Sequence, residues 1–256
     1  MVKELINRVL APGGLRIVSR EWFDELRSRA HADIQRDDTF MAIYDQCRPY
    51  TMTCIERMYG LYASVRYLVE GEIPGDFVEC GVWRGGSAMV CALTLAALGD
   101  TSRRIYLYDT FDGMTAPTER DIDVHGRTVA ETLDRRGLDD VRDFCRASRE
   151  DATRNMHSTG YPPEQLRFVQ GDVLATIPRD APDAVALLRL DTDWYESTYH
   201  ELTHLFPLLT RRGVLLVDDY GHWRGAQEAV DRYFTEHEVK MVLARLDYSC
   251  RMGIKI

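Results

Sequence analysis

Residues 76–98 read DFVECGVWRGGSAMVCALTLAAL, and two changes of pattern within this stretch decide the fold. Residues 76–82 are a short apolar run of the kind a buried strand shows. Gly81, Gly85 and Gly86 then break it. Residues 87–98 are apolar nearly all round, which suits a helix buried against a sheet. Strand, glycine turn and buried helix make the first unit of an alternating β/α chain.

The alternation continues outward from there. Residues 104–109 (RIYLYD), 166–170 (LRFVQ), 184–190 (AVALLRL), 213–217 (GVLLV), 240–245 (KMVLAR) and 249–256 read as strands, and 199–209 and 225–237 as amphipathic helices. This spacing predicts a mostly parallel, doubly wound α/β sheet. Too few residues separate 245 from 249 for a parallel crossover, so the seventh strand should return antiparallel. That pattern matches the Rossmann-like class I S-adenosylmethionine-dependent methyltransferase fold, here expected over residues 76–256. Residues 1–75 read as a helical cap or dimerisation segment. Its clearest helix is 51–69, where Ile55, Met58, Tyr59, Tyr62, Val65 and Val69 recur at helical spacing. Residues 112–165 exceed an ordinary connection. They predict an insertion with a mobile lid at 115–129, carrying His125 and Gly126, and a helix over about 139–156.

Composition narrows the partners. The chain has 256 residues, 45% of them hydrophobic, and a formal net charge of -9, enough for one sizeable core. An acidic chain lacks the broad basic footprint of a nucleic-acid or anionic-membrane binder. The opening MVKELINRVL has no signal-peptide core, and no run is long enough to span a bilayer, so the expected location is cytoplasmic. Cys47, Cys54, Cys80, Cys91, Cys145 and Cys250 form no C-x-x-C pair, and read as reduced, mostly packed thiols.

Ligands of a doubly wound sheet bind beyond the carboxyl ends of its strands. The first end, Glu79 to Ser87, is not G-x-G-x-x-G, which weakens a dinucleotide reading. Gly81, Gly85 and Gly86 let the backbone approach a ligand, and Ser87 is placed to cap the next helix. Glu79 suits a cationic amino-acid moiety such as the α-ammonium of S-adenosylmethionine. Asp109, with Asp112 competing, is placed for a ribose diol, and Asp172 for an adenine amino group. Each of these acids is alternatively a helix cap, and the glycines an ordinary tight turn.

The fourth and fifth strands end in Asp191-Thr192-Asp193-Trp194-Tyr195-Glu196 and Asp218-Asp219-Tyr220. Carboxylates gathered in a partly desolvated cleft repel one another and protonate unless a cation joins them. Asp191, Asp218 and Asp219 therefore predict a hard ion such as Mg²⁺. Asp193 and Glu196 also fit as acids favoured by a helix N-terminus. Asp191 is the expected general base, with Asp193 its competitor; His222 is an alternative base or a substrate contact, or simply structural. Tyr195 and Trp223 are candidate pocket walls.

The segments RPYTMTCIERM, GDFVECGVWRGGS, LYDTFDGM, GDV, LRLDTDWYEST and GVLLVDDYGHWRGAQEAVDRYF resemble the macrocin-type sugar O-methyltransferases of antibiotic biosynthesis, the group that includes the mycinamicin and novobiocin enzymes. The resemblance covers roughly residues 50 to 235. It implies Mg²⁺ on Asp191, Asp218 and Asp219, the first also acting as base. It also implies cofactor contacts from Thr51 and Met52 and a homodimer or higher homo-oligomer built by the N-terminal helices. Arg84 and Phe111, inside the shared motifs, complete the expected cofactor set. Thr192 stands where the antibiotic enzymes often have glycine, and Trp194 where they have a smaller apolar residue, which leaves the acceptor open. The expected function is methylation of a sugar hydroxyl in a glycosylated metabolite, using S-adenosylmethionine and Mg²⁺. The rivals are a catechol-type enzyme acting on a phenolic diol, a nucleotide-sugar dehydrogenase and a non-catalytic adenosyl-binding module.

Overall fold

The computed structural model describes residues 6–7, 10–13, 18–22, 31–143 and 145–256. The chain divides into two compact units, residues 1–41 and 42–256. Parts of the helical cap expected over residues 1–75 lie outside the described residues. Helix α1 is Asp38–Cys47. Helix α2, Ile55–Glu70, buries Met58, Leu61, Tyr62, Val65 and Leu68, a stripe at helical spacing. That stripe packs α2 on helix α3 (Gly86–Ala97) and on the sheet, which makes it part of the larger unit.

The sheet has seven strands: β1 Asp76–Cys80, β2 Ile105–Asp109, β3 Leu166–Gln170, β4 Val185–Leu190, β5 Leu209–Val217, β6 Ala244–Arg245 and β7 Arg251–Ile254. Their order is β3-β2-β1-β4-β5-β7-β6, with β7 antiparallel to both neighbours and the β1–β5 pairings parallel. The α/β fold and the antiparallel last strand thus stand as expected. The sheet reverses direction of winding between β1 and β4, and such a switch point opens a crevice at the strand ends.

Side chains alternate across the sheet, and the alternation sorts the site residues. Val78, Cys80, Leu188, Leu190, Leu215 and Val217 share one core with Leu202 and Leu205 of helix α7 (Tyr195–Leu205) and Val230 and Tyr233 of helix α8 (Arg224–Glu236). Phe77, Glu79, Leu187 and Arg189 point the other way, towards Ala88 and Cys91 of α3. All six residues of β4 are buried, Arg189 among them. Each fully buried leucine contributes roughly 1.5–3 kcal/mol, so the leucines of β4 more than offset an arginine whose charge is compensated.

Several boundaries differ from the pattern reading. Helix α3 starts at Gly86 on an N-cap Gly85 with φ 90° and no side-chain cap, so Ser87 lies inside the first turn instead of capping it. Helix α7 starts four residues earlier than expected, after Trp194, and β5 begins already at Leu209, past a short 3₁₀ turn containing Pro207. The sixth strand is only two residues long. The expected helix over 139–156 is a 3₁₀ turn at Val141–Asp143 and helix α5 (Arg149–His157), which Ser148 caps. Helix α4 (Val129–Arg136) precedes them, opened by a capping box in which Thr128 and Glu131 bond each other's backbone. Its Thr-x-x-Glu signature was visible in the sequence. Helix α6 is the single turn Val173–Thr176.

Candidate functional site

A cavity of about 280 Å³ opens at the carboxyl ends of β1 and β4. Its first wall is the turn after β1. Gly81 has φ +85°, and a Cβ there would lie 2.0 Å from the Asp191 carbonyl oxygen, so only glycine lets the ends of β1 and β4 approach this closely. At Gly86 an added Cβ would meet the Tyr50 carbonyl at 2.6 Å, which brings Thr51 and Met52 to the cavity. Asp109 organises the turn. Its Oδ2 accepts the Val82 and Trp83 amides at 2.7 and 2.9 Å, and its Oδ1 accepts the Phe111 amide at 2.7 Å. Asp172 lines the cavity while accepting from the Leu174 amide as the cap of α6.

Among the sequence-predicted cofactor residues, Thr51, Met52, Gly81, Gly86, Ser87, Asp109 and Asp172 line this space, whereas Glu79, Arg84, Gly85 and Phe111 are not among its lining residues. Arg84 is a clamp instead. Its Nε donates to Asp151 of α5 at 2.6 Å, its Nη1 donates to the Pro49 carbonyl, and the guanidinium lies 5.0 Å from the Tyr50 ring centre. Phe111 is buried against Phe168, with φ 54°. Asp112 is exposed and paired with Arg146.

The opposite wall is acidic. One carboxylate oxygen from each of Asp191, Asp218 and Asp219 lies within 4.8 Å of the others, and Asp193 joins the same wall. Burial works against ionisation of Asp218, but Arg189 and Arg57 outweigh it and hold the carboxyl below its ordinary range. Arg189 Nη2 lies 3.0 Å from Asp218 Oδ1, and Arg57 Nη1 lies 2.5 Å from Oδ2. Asp191 and Asp219 go the other way. Depth in the protein and mutual repulsion push both well up, although Arg189 Nη2 stands 2.7 Å from Asp191 Oδ2. Burial, then Asp191, pushes Asp193 up to about 8. Its φ of 66° places it in the left-handed region. It belongs to the acidic wall, not to the helix that Glu196 opens.

The two arginines are already shared. Arg189 also binds Glu79 at 2.5 Å and Arg57 also binds Asp247 at 2.8 Å, while burial raises Glu79 to about 7. Among the described residues, Arg189 and Arg57 are thus shared by Glu79, Asp191, Asp218 and Asp247, and the buried Oδ2 of Asp219 has no hydrogen-bond partner. Buried charge of one sign needs protons or a cation. An all-oxygen donor set with an unused carboxylate oxygen fits a hard divalent ion such as Mg²⁺.

His222 and Trp223 follow the acid pair into the cavity. Burial lowers the His222 pKa, and its Nδ1 sits 3.4 Å from the Tyr248 hydroxyl. Tyr195 faces elsewhere: its amide donates to Asp121 Oδ1 and its hydroxyl accepts from Arg232. The insertion is tied down close by. Asp121 and Asp123 are buried, the Arg224 amide donates to the Ile122 carbonyl, and Trp194 Nε1 donates to the Thr115 carbonyl at 2.9 Å.

Sequence reasoning missed Arg57, Arg189 and Asp247. Arg189 had a signal, a cation inside the unbroken apolar run of β4 that demands acidic partners. Arg57 and Asp247 had none, since they arrive from a distant helix and hairpin. No helix among the described residues is long and apolar enough to cross a membrane.

Residues 18–252 match the macrocin-O-methyltransferase (TylF) family. The chain is 32% identical over 198 residues to the demethyldecarbamoylnovobiocin O-methyltransferase of Streptomyces niveus, covering 77% of this chain and 72% of the relative. It is 28% identical over 211 residues to the mycinamicin III 3''-O-methyltransferase of Micromonospora griseorubida, covering 80% and 77%. The solved O-methyltransferase NovP superposes with a TM-score of 0.71 at 30% identity, over 80% of this chain and 82% of that one. Family and fold also support S-adenosylmethionine as the methyl donor. With a glycine turn and an acidic wall meeting across one cavity, this chain belongs to the macrocin-O-methyltransferase (TylF) family and is an O-methyltransferase.

Proposed function

We propose that the enzyme methylates a hydroxyl of a sugar within a glycosylated secondary metabolite, with S-adenosylmethionine as donor and Mg²⁺ as an essential ion. The observation that carries this reading is the crowding of Asp191, Asp193, Asp218 and Asp219 on the cavity wall facing the glycine turn, with the buried Asp219 Oδ2 unpartnered. The relatives named above act on demethyldecarbamoylnovobiocin and on mycinamicin III, which supports a glycosidic acceptor.

Asp191, Asp218 and Asp219 hold the ion in this reading, and Mg²⁺ bound there supplies Lewis acidity that makes an acceptor hydroxyl easier to deprotonate. Asp191 takes the proton. It follows β4 at the cavity wall, where a carboxylate can reach an acceptor hydroxyl. Arg189 and Arg57 keep Asp218 ionised beside it. His222, neutral because burial lowers its pKa, is the second candidate base. The first wall binds the donor, with Thr51, Met52, Gly81, Gly86, Ser87, Asp109 and Asp172 at its surface and Glu79, Arg84, Gly85 and Phe111 supporting it from behind. Holding the two reactants in line is the remaining contribution of the cavity. The 112–165 insertion acts as the lid, and the chain works as a homodimer, which sedimentation tests.

The direct test is transfer of a labelled methyl group to demethyldecarbamoylnovobiocin, mycinamicin III and catechol, each with Mg²⁺ and with chelator. Transfer to a glycoside that chelator stops and Mg²⁺ restores is the expected result. Transfer to catechol alone would replace the sugar reading with a phenolic one, and turnover unaffected by chelator would remove the ion.

A further inference from the structure

Glu201 is a carboxyl that nothing so far employs. It sits on the buried stripe of α7, between Thr198 and Leu202, with 0% exposure. A glutamate there breaks the apolar pattern, and burial of such a group requires a compensating partner. Yet no guanidinium or ammonium is among the groups that act on it. The Thr192 hydroxyl, which donates to Oε1 at 3.0 Å, and the Cys80 thiol are its polar neighbours, and Asp172 is the charged group that bears on it. Its other oxygen, Oε2, is buried without a hydrogen-bond partner.

Thr192 lies between Asp191 and Asp193, and its backbone is gripped from both sides. The Asp191 amide donates to the Cys80 carbonyl at 2.9 Å, and the Trp194 amide donates to the Thr192 carbonyl at 2.7 Å. The side chain of Thr192 is thereby turned towards α7, while Arg189, on the opposite sheet face, reaches Asp191. The acidic turn is held by a salt bridge from one face of the sheet and by a hydrogen bond from the other.

We propose that Glu201 is a positioning residue: acting through the Thr192 hydroxyl, it sets the Asp191–Asp193 turn so that its carboxyls face the cavity in the geometry a divalent cation needs. This rests on the reading of the acidic wall as the cation centre. Partners behind a ligand commonly govern metal affinity about 10- to 100-fold.

Titration calorimetry with Mg²⁺ on the full chain saturated with S-adenosylhomocysteine tests it, beside Mn²⁺ paramagnetic resonance. Thr192→Val and Glu201→Leu should each weaken Mg²⁺ at least about tenfold and broaden the Mn²⁺ spectrum. Thr192→Ser and Glu201→Gln, which keep donor and acceptor, should stay near the parent. The double variant Thr192→Val/Glu201→Leu should be no weaker than either single one. S-adenosylhomocysteine affinity and thermal unfolding, followed in parallel, separate this from a folding defect. Parent-like Mg²⁺ affinity in Thr192→Val, or equal losses in Thr192→Ser and Thr192→Val, would overturn the proposal while leaving the cation centre standing. No Mg²⁺ binding by the parent, or undiminished binding by Asp191→Asn, would overturn the cation centre and this proposal together.

Discussion

In the turn after β1 the polar groups pair among themselves: Asp109 accepts the Val82, Trp83 and Phe111 amides, and Arg84 is tied to Asp151 and Pro49. At the ends of β4 and β5 they do not. Asp191 and Asp218 lean on guanidiniums that other acids already engage, and the buried Asp219 Oδ2 has no hydrogen-bond partner. A self-satisfied wall is stable without its ligand. An under-compensated wall stores repulsion that only protons or a bound cation relieve, and it is where chemistry is expected.

The largest effect should come from breaking the acidic side at its centre. Asp191→Asn should lower methyl transfer by about 10²–10⁴-fold, the usual contribution of a general base, with S-adenosylhomocysteine affinity retained in calorimetry. Unchanged turnover would move the proton to His222. Next comes the point where the two walls touch. Gly81→Ala places a Cβ against the Asp191 carbonyl at a positive φ and should cost about 3 kcal/mol in chemical denaturation, from overpacking and left-handed strain together.

A gentler lever is pH. Asp193 and Glu201 are pushed up to about 8 by burial, above their ordinary values, so the folded chain holds these protons more tightly than the unfolded one. Stability from this source is fully present below about pH 4 and is lost as pH rises to about 8. Thermal unfolding in chelator should show that decline, and Mg²⁺ should shrink it. A decline of the same size with Mg²⁺ would mean that the ion does not bind the acids.

Smaller still, Asp109→Asn replaces charge-assisted acceptors of backbone amides, each worth about 1.5–3 kcal/mol. It should weaken S-adenosylhomocysteine about tenfold by loosening the turn while leaving Mg²⁺ affinity alone. A matching loss of Mg²⁺ would show that the two walls are not separable. The least effect belongs to Asp112→Ala, which removes an exposed pair with Arg146 and should change stability by less than about 0.5 kcal/mol.

How far these walls were legible follows from how local their signals are. The strand at 166–170 was read to the residue because five apolar-rich positions between turns decide it. The lengths of β6 and α5 were not, because the extent of a strand pairing and a break in a helix depend on neighbours outside any window. Asp191, Asp218 and Asp219 meet as expected, since acids at the ends of adjacent parallel strands are brought together by register alone. Glu79 followed the same rule to a different end. The period-2 alternation of β1 points it under α3, into Arg189, instead of into the cavity.

The chain alone specified the alternating α/β order, the antiparallel last strand and the acids at the strand ends, because hydrophobic period and connection length act within short windows. The family motifs added which chemistry to expect of them. Tertiary structure assigned the charge balance. Arg57 comes from α2, Asp247 from the β6–β7 hairpin and Glu201 from the far face of the sheet. Compensation of a buried charge is a property of whatever surrounds it in space, and no spacing along the sequence encodes it.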